Sequence, residues 1–196
     1  AARIKLGAIA AGPGVSEKIA RVRMPHPRLW RPESPYLYTA RVVARPKDGG
    51  PADNAESHFG MRKFTMDETS PVKGTLWLNN QPVILRGANT MGHFMVEAMK
   101  GNREQLIEDV LIARLANMNY FRLTQSPVQP EVYDLFDQLG MMAQTDLPLF
   151  GSLRRPVLEE AVKQAGEMER LVRAHPSNIM ISYINEPFAP RGKEHR

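Results

Sequence analysis

Four short stretches place chemistry-bearing side chains just after runs of β-prone residues. The first is Arg86-Gly87-Ala88-Asn89, with His93 close behind; the second is Arg122, Thr124 and Gln125. The third is Asp146, and the fourth is Asn185-Glu186-Pro187 within "SYINEPF". Glu186 is the sharpest of these. A carboxylate directly after a buried strand would be partly desolvated, which raises its pKa and suits it to giving up a proton. Pro187 biases Glu186 towards extended backbone and so fixes where the side chain is aimed. Asn185 can donate and accept, as holding a hydroxyl requires. From the tripeptide alone the readier reading is a turn that merely ends a strand, and a lone arginine or aspartate can be a structural ion pair.

Two parts of the chain must position these groups. Residues 1–72 read as β-structure and loop. "EKIARVRMP", "YLYTARVVARP" and "HFGMRKFTM" are short strand-like runs broken by prolines, and "KDGGPADN" is a turn. They suggest part of a sandwich. Over residues 73–196 the period changes. "GTLWLNNQPVILRG" reads as a hairpin. Asn102 is a plausible cap with Gln105 three residues on, opening a helix over "REQLIEDVLIARLAN" with Ile107, Leu111, Leu115 and Met118 on its apolar face. "MNYFRLT" is a strand. "QPEVYDLFDQLG" is a helix with Pro130 in its first turn and Gly140 at its end. "MMAQT" is the next strand, "RPVLEEAVKQAGEMERLVRAHP" the next helix, and "NIMISYI" the last strand.

Strand and helix alternate as in parallel βα units. Strand interiors apolar on both sides, as in Val83-Ile84-Leu85 and Ile179-Met180-Ile181, fit a sheet covered by helices on one face and a barrel interior on the other. The rival doubly wound sheet would favour a G-x-G-x-x-G turn, which "LRGANTMG" lacks. The fold class is therefore α/β, a partial (β/α)8 TIM barrel of about four strands preceded by part of an immunoglobulin-like β-sandwich. Half a barrel leaves two parallel edges unpaired, so the expectation is that the chain is a piece of a longer one. In such barrels chemistry gathers at the C-terminal ends of the strands, where the four stretches fall.

Composition narrows the function classes. With 42% hydrophobic and 24% charged residues the chain is globular rather than disordered. The net charge of +5 comes from scattered residues without interleaved aromatics, which argues against nucleic-acid binding. No apolar run approaches the roughly 18 residues of a membrane span. The absence of cysteine rules out disulfides and thiolate sites and leaves cytoplasmic, periplasmic and secreted locations open. His58, His93 and His175 lack metal-ligand spacing, and neither H-E-x-x-H nor G-x-S-x-G occurs. No metal and no cofactor are expected.

"RLWRPESPYLYTARV", "FGMRKF", "LWLNNQPVILRGAN", "FRLTQSPVQPEVYDLFDQLGMMAQTDLPL" and "HPSNIMISYINEP" together resemble glycoside hydrolase family 2, in the family's order. The resemblance spans roughly residues 27–188. It implies a retaining β-glycosidase acting on carbohydrate, with Glu186 as general acid/base and Asn185 bonded to the sugar 2-hydroxyl. It further implies that Arg122 orders the surroundings of the nucleophile and that Asp146 supports the site. Asn89 and His93 are candidate substrate contacts. Retention needs two carboxyl groups about 5 Å apart. The family's nucleophile follows the seventh strand, so a chain reaching only the fourth is expected to carry half a site, to need the remainder of its parent chain and to be inactive alone.

The chain also departs from the family's galactosidase and glucuronidase pattern. Thr90-Met91-Gly92-His93 stands where a basic and His-rich stretch is usual, and Thr124-Gln125-Ser126-Pro127 replaces Ser-His-Tyr-Pro. Phe150 and Gly151 stand near where magnesium ligands would be. These differences remove support for galactose specificity and for a catalytic metal. A non-catalytic carbohydrate-binding or interaction protein on a degenerate barrel is the alternative; an unrelated α/β domain binding a phosphate-bearing ligand is a weaker one.

Overall fold

A computed structural model describes residues 3–9, 12, 14–69 and 71–187. The first half is antiparallel. β1 (Tyr38–Ala44) pairs with β2 (Asp53–Phe59) across the turn that "KDGGPADN" predicts. β3 (Phe64–Met66), β4 (Leu76–Leu78) and β5 (Gln81–Val83) form a three-stranded sheet that spans both sides of residue 72. The hairpin turn falls at Asn79 and Asn80, both at positive φ, a conformation asparagine tolerates better than most residues. Two expectations are corrected here. "EKIARVRMP" forms no strand, and "HFGMRKFTM" divides between β2 and β3 in different sheets, with Gly60 in the break. A side chain at Gly60 would meet Pro176 Cγ at 2.4 Å, so the chain must pass here without one.

The second half holds four parallel strands in sequential order: β6 (Gly87–Asn89), β7 (Tyr120–Leu123), β8 (Met142–Asp146) and β9 (Asn178–Ser182). The barrel is partial and unclosed, and β6 and β9 each have a neighbour on one side among the described residues. Helices α1 (His93–Met99), α2 (Arg103–Leu115), α3 (Pro130–Leu139) and α4 (Leu158–Val172) fill the crossovers.

Local signals explain most boundaries. The Asn102 side chain accepts from Gln105 N, satisfying one of the orphan amides of α2. Pro130 opens α3 where no amide is needed, and Gly140 closes it at φ 70 with its N–H on Phe136 O. The α2 face differs from expectation. Leu106, Val110 and Ala113 are buried, Ile107 is partly buried, and Leu111 and Leu115 are exposed, Leu115 to 88%. Helix α2 carries apolar residues on two overlapping stripes, so spacing alone does not choose between them; docking on the sheet does.

Alternation along the strands separates two cores. Phe121, Leu123 and Ala143 point towards the helices and join Phe94, Val110, Val132, Tyr133 and Phe136. Met142 and Ile179 point the other way and pack with Trp30 and Leu78, alongside Phe64, Val83, Leu85 and Tyr120. Trp30 is fully buried and ties the two halves together: its indole N–H donates to Asp137 O at 2.8 Å, and its own carbonyl accepts from Asn79 Nδ2. Arg62 adds donors to Pro176 O and Asn178 O.

Candidate functional site

On the face of β7 and β8 that carries Tyr120 and Met142, the following inward positions are Arg122, Gln144 and Asp146. Arg122 lies directly opposite Gln144 in the parallel register. The polar residues thus sit above an apolar floor, at the C-terminal end of the strands.

Asp146 is the hub. Its side chain has no exposed surface. Oδ2 accepts from Arg122 Nε (2.9 Å), Arg122 Nη2 (2.6 Å) and the backbone N of Gln125 (3.2 Å); Oδ1 accepts from Gln144 Nε2 (2.8 Å). A buried carboxylate is tolerable only with such partners. Gln125 reaches it because its backbone is left-handed, φ 62. Arg122, with a quarter of its side chain exposed, is held above its ordinary pKa first by the Asp146 hydrogen bonds, with a smaller contribution from the charge of Glu186.

Arg122 Nη2 also donates to Asn185 Oδ1 at 2.5 Å, linking β7 to the segment after β9. Asn185 is 5% exposed and its backbone is pinned by a short parallel bridge to Phe150: its N–H donates to Leu149 O and its carbonyl accepts from Gly151 N. Arg122 on β7 thus holds the side chain of Asn185, and the segment after β8 holds its backbone. The residue after it, Glu186, is exposed, with φ 47. Both values correct the expectation of a desolvated, extended carboxylate. β9 ends at Ser182, the isolated bridge follows at Asn185, and the next residue, Glu186, takes a left-handed backbone despite Pro187.

Asp146, Arg122 and Asn185 thus converge, with Glu186 close enough to act on Arg122 electrostatically. The other two candidates do not join them. Asn89 lies opposite Arg122 in the β6–β7 register but is exposed, and no side-chain partner is seen for it among the described residues. His93 Nε2 lies 2.6 Å from Asp109 Oδ2, which ties α1 to α2. Sequence reasoning missed Gln144 and Tyr120; the period-two alternation with Arg122 and Asp146 was the signal that could have found them.

A second polar group lies at the opposite end of the sheet. His175 Nδ1 is 2.7 Å from Asp137 Oδ2 and 3.9 Å from Asp134 Oδ1, and Ser177 N donates to Asp137 Oδ1. Asp134, Asp137 and His175 bring metal-ligating atoms within 4.8 Å of one another. Both Asp137 oxygens are already engaged, and the indole of Trp30 bonds the same residue's carbonyl, so the group serves as a brace between α3, β9 and the first half.

An unclosed parallel βα barrel with a polar cluster at the C-terminal strand ends defines an α/β enzyme-type scaffold. The chain belongs to glycosyl hydrolases family 2: the family's TIM barrel domain matches residues 72–196, and the model described as glycosyl hydrolases family 2 matches residues 7–62. Among its relatives is a beta-galactosidase from Alteromonas mediterranea, 28% identical over 169 residues, covering 82% of this chain and 16% of that protein. Similar solved structures include the beta-glucuronidase of Parabacteroides merdae, at TM-score 0.72 and 21% identity over 84% of this chain and 20% of the other. Another is Bacteroides uniformis beta-glucuronidase 3, at TM-score 0.68 and 25% identity over 87% and 22%. The Bifidobacterium dentium beta-glucuronidase, complexed with coumarin-3-O-glucuronide, matches at TM-score 0.69 and 24% identity over 84% and 27%. The chain spans between 16% and 27% of the length of these proteins.

Proposed function

We propose that this chain contributes the acid/base half of a retaining β-glycosidase active site. Residues 1–72 form the end of an immunoglobulin-like domain in this reading, and residues 73–196 the opening half of the catalytic barrel. Glu186 protonates the departing glycosidic oxygen and then deprotonates the attacking water. Asn185 holds the sugar 2-hydroxyl; Arg122 and Asp146 fix Asn185. Asn89 and His93 would lie at the margin of the sugar site.

The observation that carries this is the bond from Arg122 to Asn185, which ties the residue before Glu186 to a buried ion pair at the strand ends. Asp146 is the other carboxylate of that cluster, and its two oxygens accept four hydrogen bonds. A carboxylate so engaged is a poor nucleophile, so the attacking group is assigned outside these four strands, and the 196 residues alone are expected to be inactive.

In the full-length protein, Glu186→Gln should slow hydrolysis of β-glycosides with poor leaving groups by about 10²–10⁴-fold, the usual worth of a positioned acid/base. Unchanged turnover of those substrates would remove Glu186 from the mechanism. Hydrolysis by the 196-residue chain, lost on Glu186→Gln, would overturn the half-site assignment. The exposure of Glu186 and the departures from the family pattern at Met91 and Gln125 favour the non-catalytic alternative; glycan binding by the whole protein without release of reducing sugar would establish it.

A further inference from the structure

A single exposed aromatic ring carries no meaning by itself. The register of Phe150 supplies one. Phe150 and Asn185 are direct partners in the short parallel bridge that follows β8 and β9. Asn185 N–H donates to Leu149 O at 2.8 Å, and Gly151 N–H donates to Asn185 O at 2.9 Å. Residues paired across such a bridge project to the same face, on backbones about 4.8 Å apart. The Asn185 side chain lies on the face of Arg122 and Asp146, so Phe150 is carried onto that face beside it. The backbone is held on both sides of the ring, and Gly151 turns the chain at φ 73 immediately afterwards. Asn185 is 5% exposed and Phe150 is 58% exposed. A ligand reaching these strand ends therefore meets the phenyl first and the amide beside it.

We infer that Phe150 is a binding residue, a stacking platform for a pyranose ring of the substrate. A pyranose is apolar on its faces, where axial C–H bonds point, and polar round its edge. The negative π face of a phenyl attracts such C–H bonds, and a few placed polar groups must meet the hydroxyls. Those groups flank the ring: Asn185 is its bridge partner, and Glu186 is one residue further on. A ligand polar all round, such as phosphate, would gain nothing from the phenyl. A wholly apolar one would leave the Asn185 amide unmatched. The bridge also orders the backbone of the platform before a ligand arrives, which removes that cost from binding.

The inference deepens the glycosidase reading and rests on its placement of a sugar at Asn185, but its test needs binding only. Full-length protein carrying Glu186→Gln would be titrated calorimetrically with the methyl β-glycosides of glucuronic acid, galactose, glucose and mannose. A methyl aglycone leaves only the sugar to stack. Phe150→Leu, apolar but not flat, should weaken the glycoside that binds by about tenfold. Phe150→Tyr, which keeps the ring, should stay within about twofold. Saturation-transfer NMR should mark the C–H protons of one sugar face, and Phe150→Leu should abolish that selectivity. Unchanged affinity in Phe150→Leu would overturn the platform, even with a lower urea midpoint, since the ring would then be covered by the rest of the chain. Equal loss in the leucine and tyrosine variants, or binding of none of the four glycosides, would overturn it too. Hydrolysis slowed by Glu186→Gln with affinity unmoved at Phe150 would keep the glycosidase reading and remove this one. Affinity lost at Phe150 in a protein that never hydrolyses would do the reverse.

Discussion

Replacing Asp146 by leucine would strand a guanidinium above an apolar floor. In the intact structure Arg122 delivers two charge-assisted bonds to one oxygen, and Gln125 N and Gln144 Nε2 deliver two more bonds to the same carboxylate. Breaking a buried pair from one side costs about 3–5 kcal/mol. A quarter of the Arg122 side chain is exposed, so it can rehydrate, and the lower end of that range applies. We expect a loss of about 3 kcal/mol for Asp146→Leu. Arg122→Met leaves the fully buried carboxylate unneutralised and should cost about 4 kcal/mol. The double variant removes both charges together. It should cost at least about 2 kcal/mol less than the sum of the singles. Asp146→Asn is predicted to be milder, about 1–2 kcal/mol. Its oxygen can stay on Arg122 while its NH₂ turns to Gln144, whose amide flips and lets the Tyr120 hydroxyl accept. The assay is urea unfolding followed by the fluorescence of buried Trp30 and its companion Trp77. Additivity of the two single variants within about 0.5 kcal/mol would refute a coupled pair.

Gly140→Ala should destabilise by about 2–4 kcal/mol, combining a left-handed backbone with overpacking, because a Cβ there would sit 2.2 Å from Pro32 O. Gly101→Ala, at φ 69 but with nothing within 4 Å, should cost only about 1 kcal/mol; equal costs at both sites by thermal melting would deny the contact with Pro32. Tyr120 provides a pH test. Its folded pKa of about 12 lies above the ordinary value of 10.0, so the folded state holds the proton more tightly. Its contribution is fully present below pH 10 and is lost as pH rises towards 12. Stability of wild type relative to Tyr120→Phe should fall across that window, and a flat difference would show that the phenol is not buried.

What could be read from the chain depended on how local the determining physics was. Pro130 and Gly140 bracket α3, and Asn102 caps α2, because proline, glycine and asparagine act on their own backbone. The alternation of elements from residue 73 onwards was legible for the same reason, and the barrel fold class it suggested holds, as does the family suggested by the resemblance of the quoted segments. Helix α1 was not legible: Gly92 precedes it without a side-chain cap, and its first turn has no acidic residue. The docking face of α2 was misread because only the sheet selects between its two stripes. The polar cluster was legible as separate strand ends, but not as a cluster. Arg122 and Asp146 are 24 residues apart, Arg122 and Asn185 are 63 apart, and only parallel register brings them together. Glu186 was misjudged in geometry because the Asn185–Phe150 bridge outweighs the bias that Pro187 exerts.

The seam between the two halves has a consequence for how such a protein can diversify. Trp30, Pro32, Gly60 and Arg62 grip Asp137, Gly140, Pro176 and Asn178, which lie at or before the starts of β8 and β9. The polar cluster lies at the finishes of the same strands. Assembly and chemistry are thus written at opposite poles of each strand, several residues apart. Substitutions in the segments after the strands, such as 90–92, 125–127 and 147–151, do not touch the anchorage. Mutational drift there is insulated from the cost of misassembly, and the unfamiliar residues this chain carries in those segments stand where innovation is cheapest.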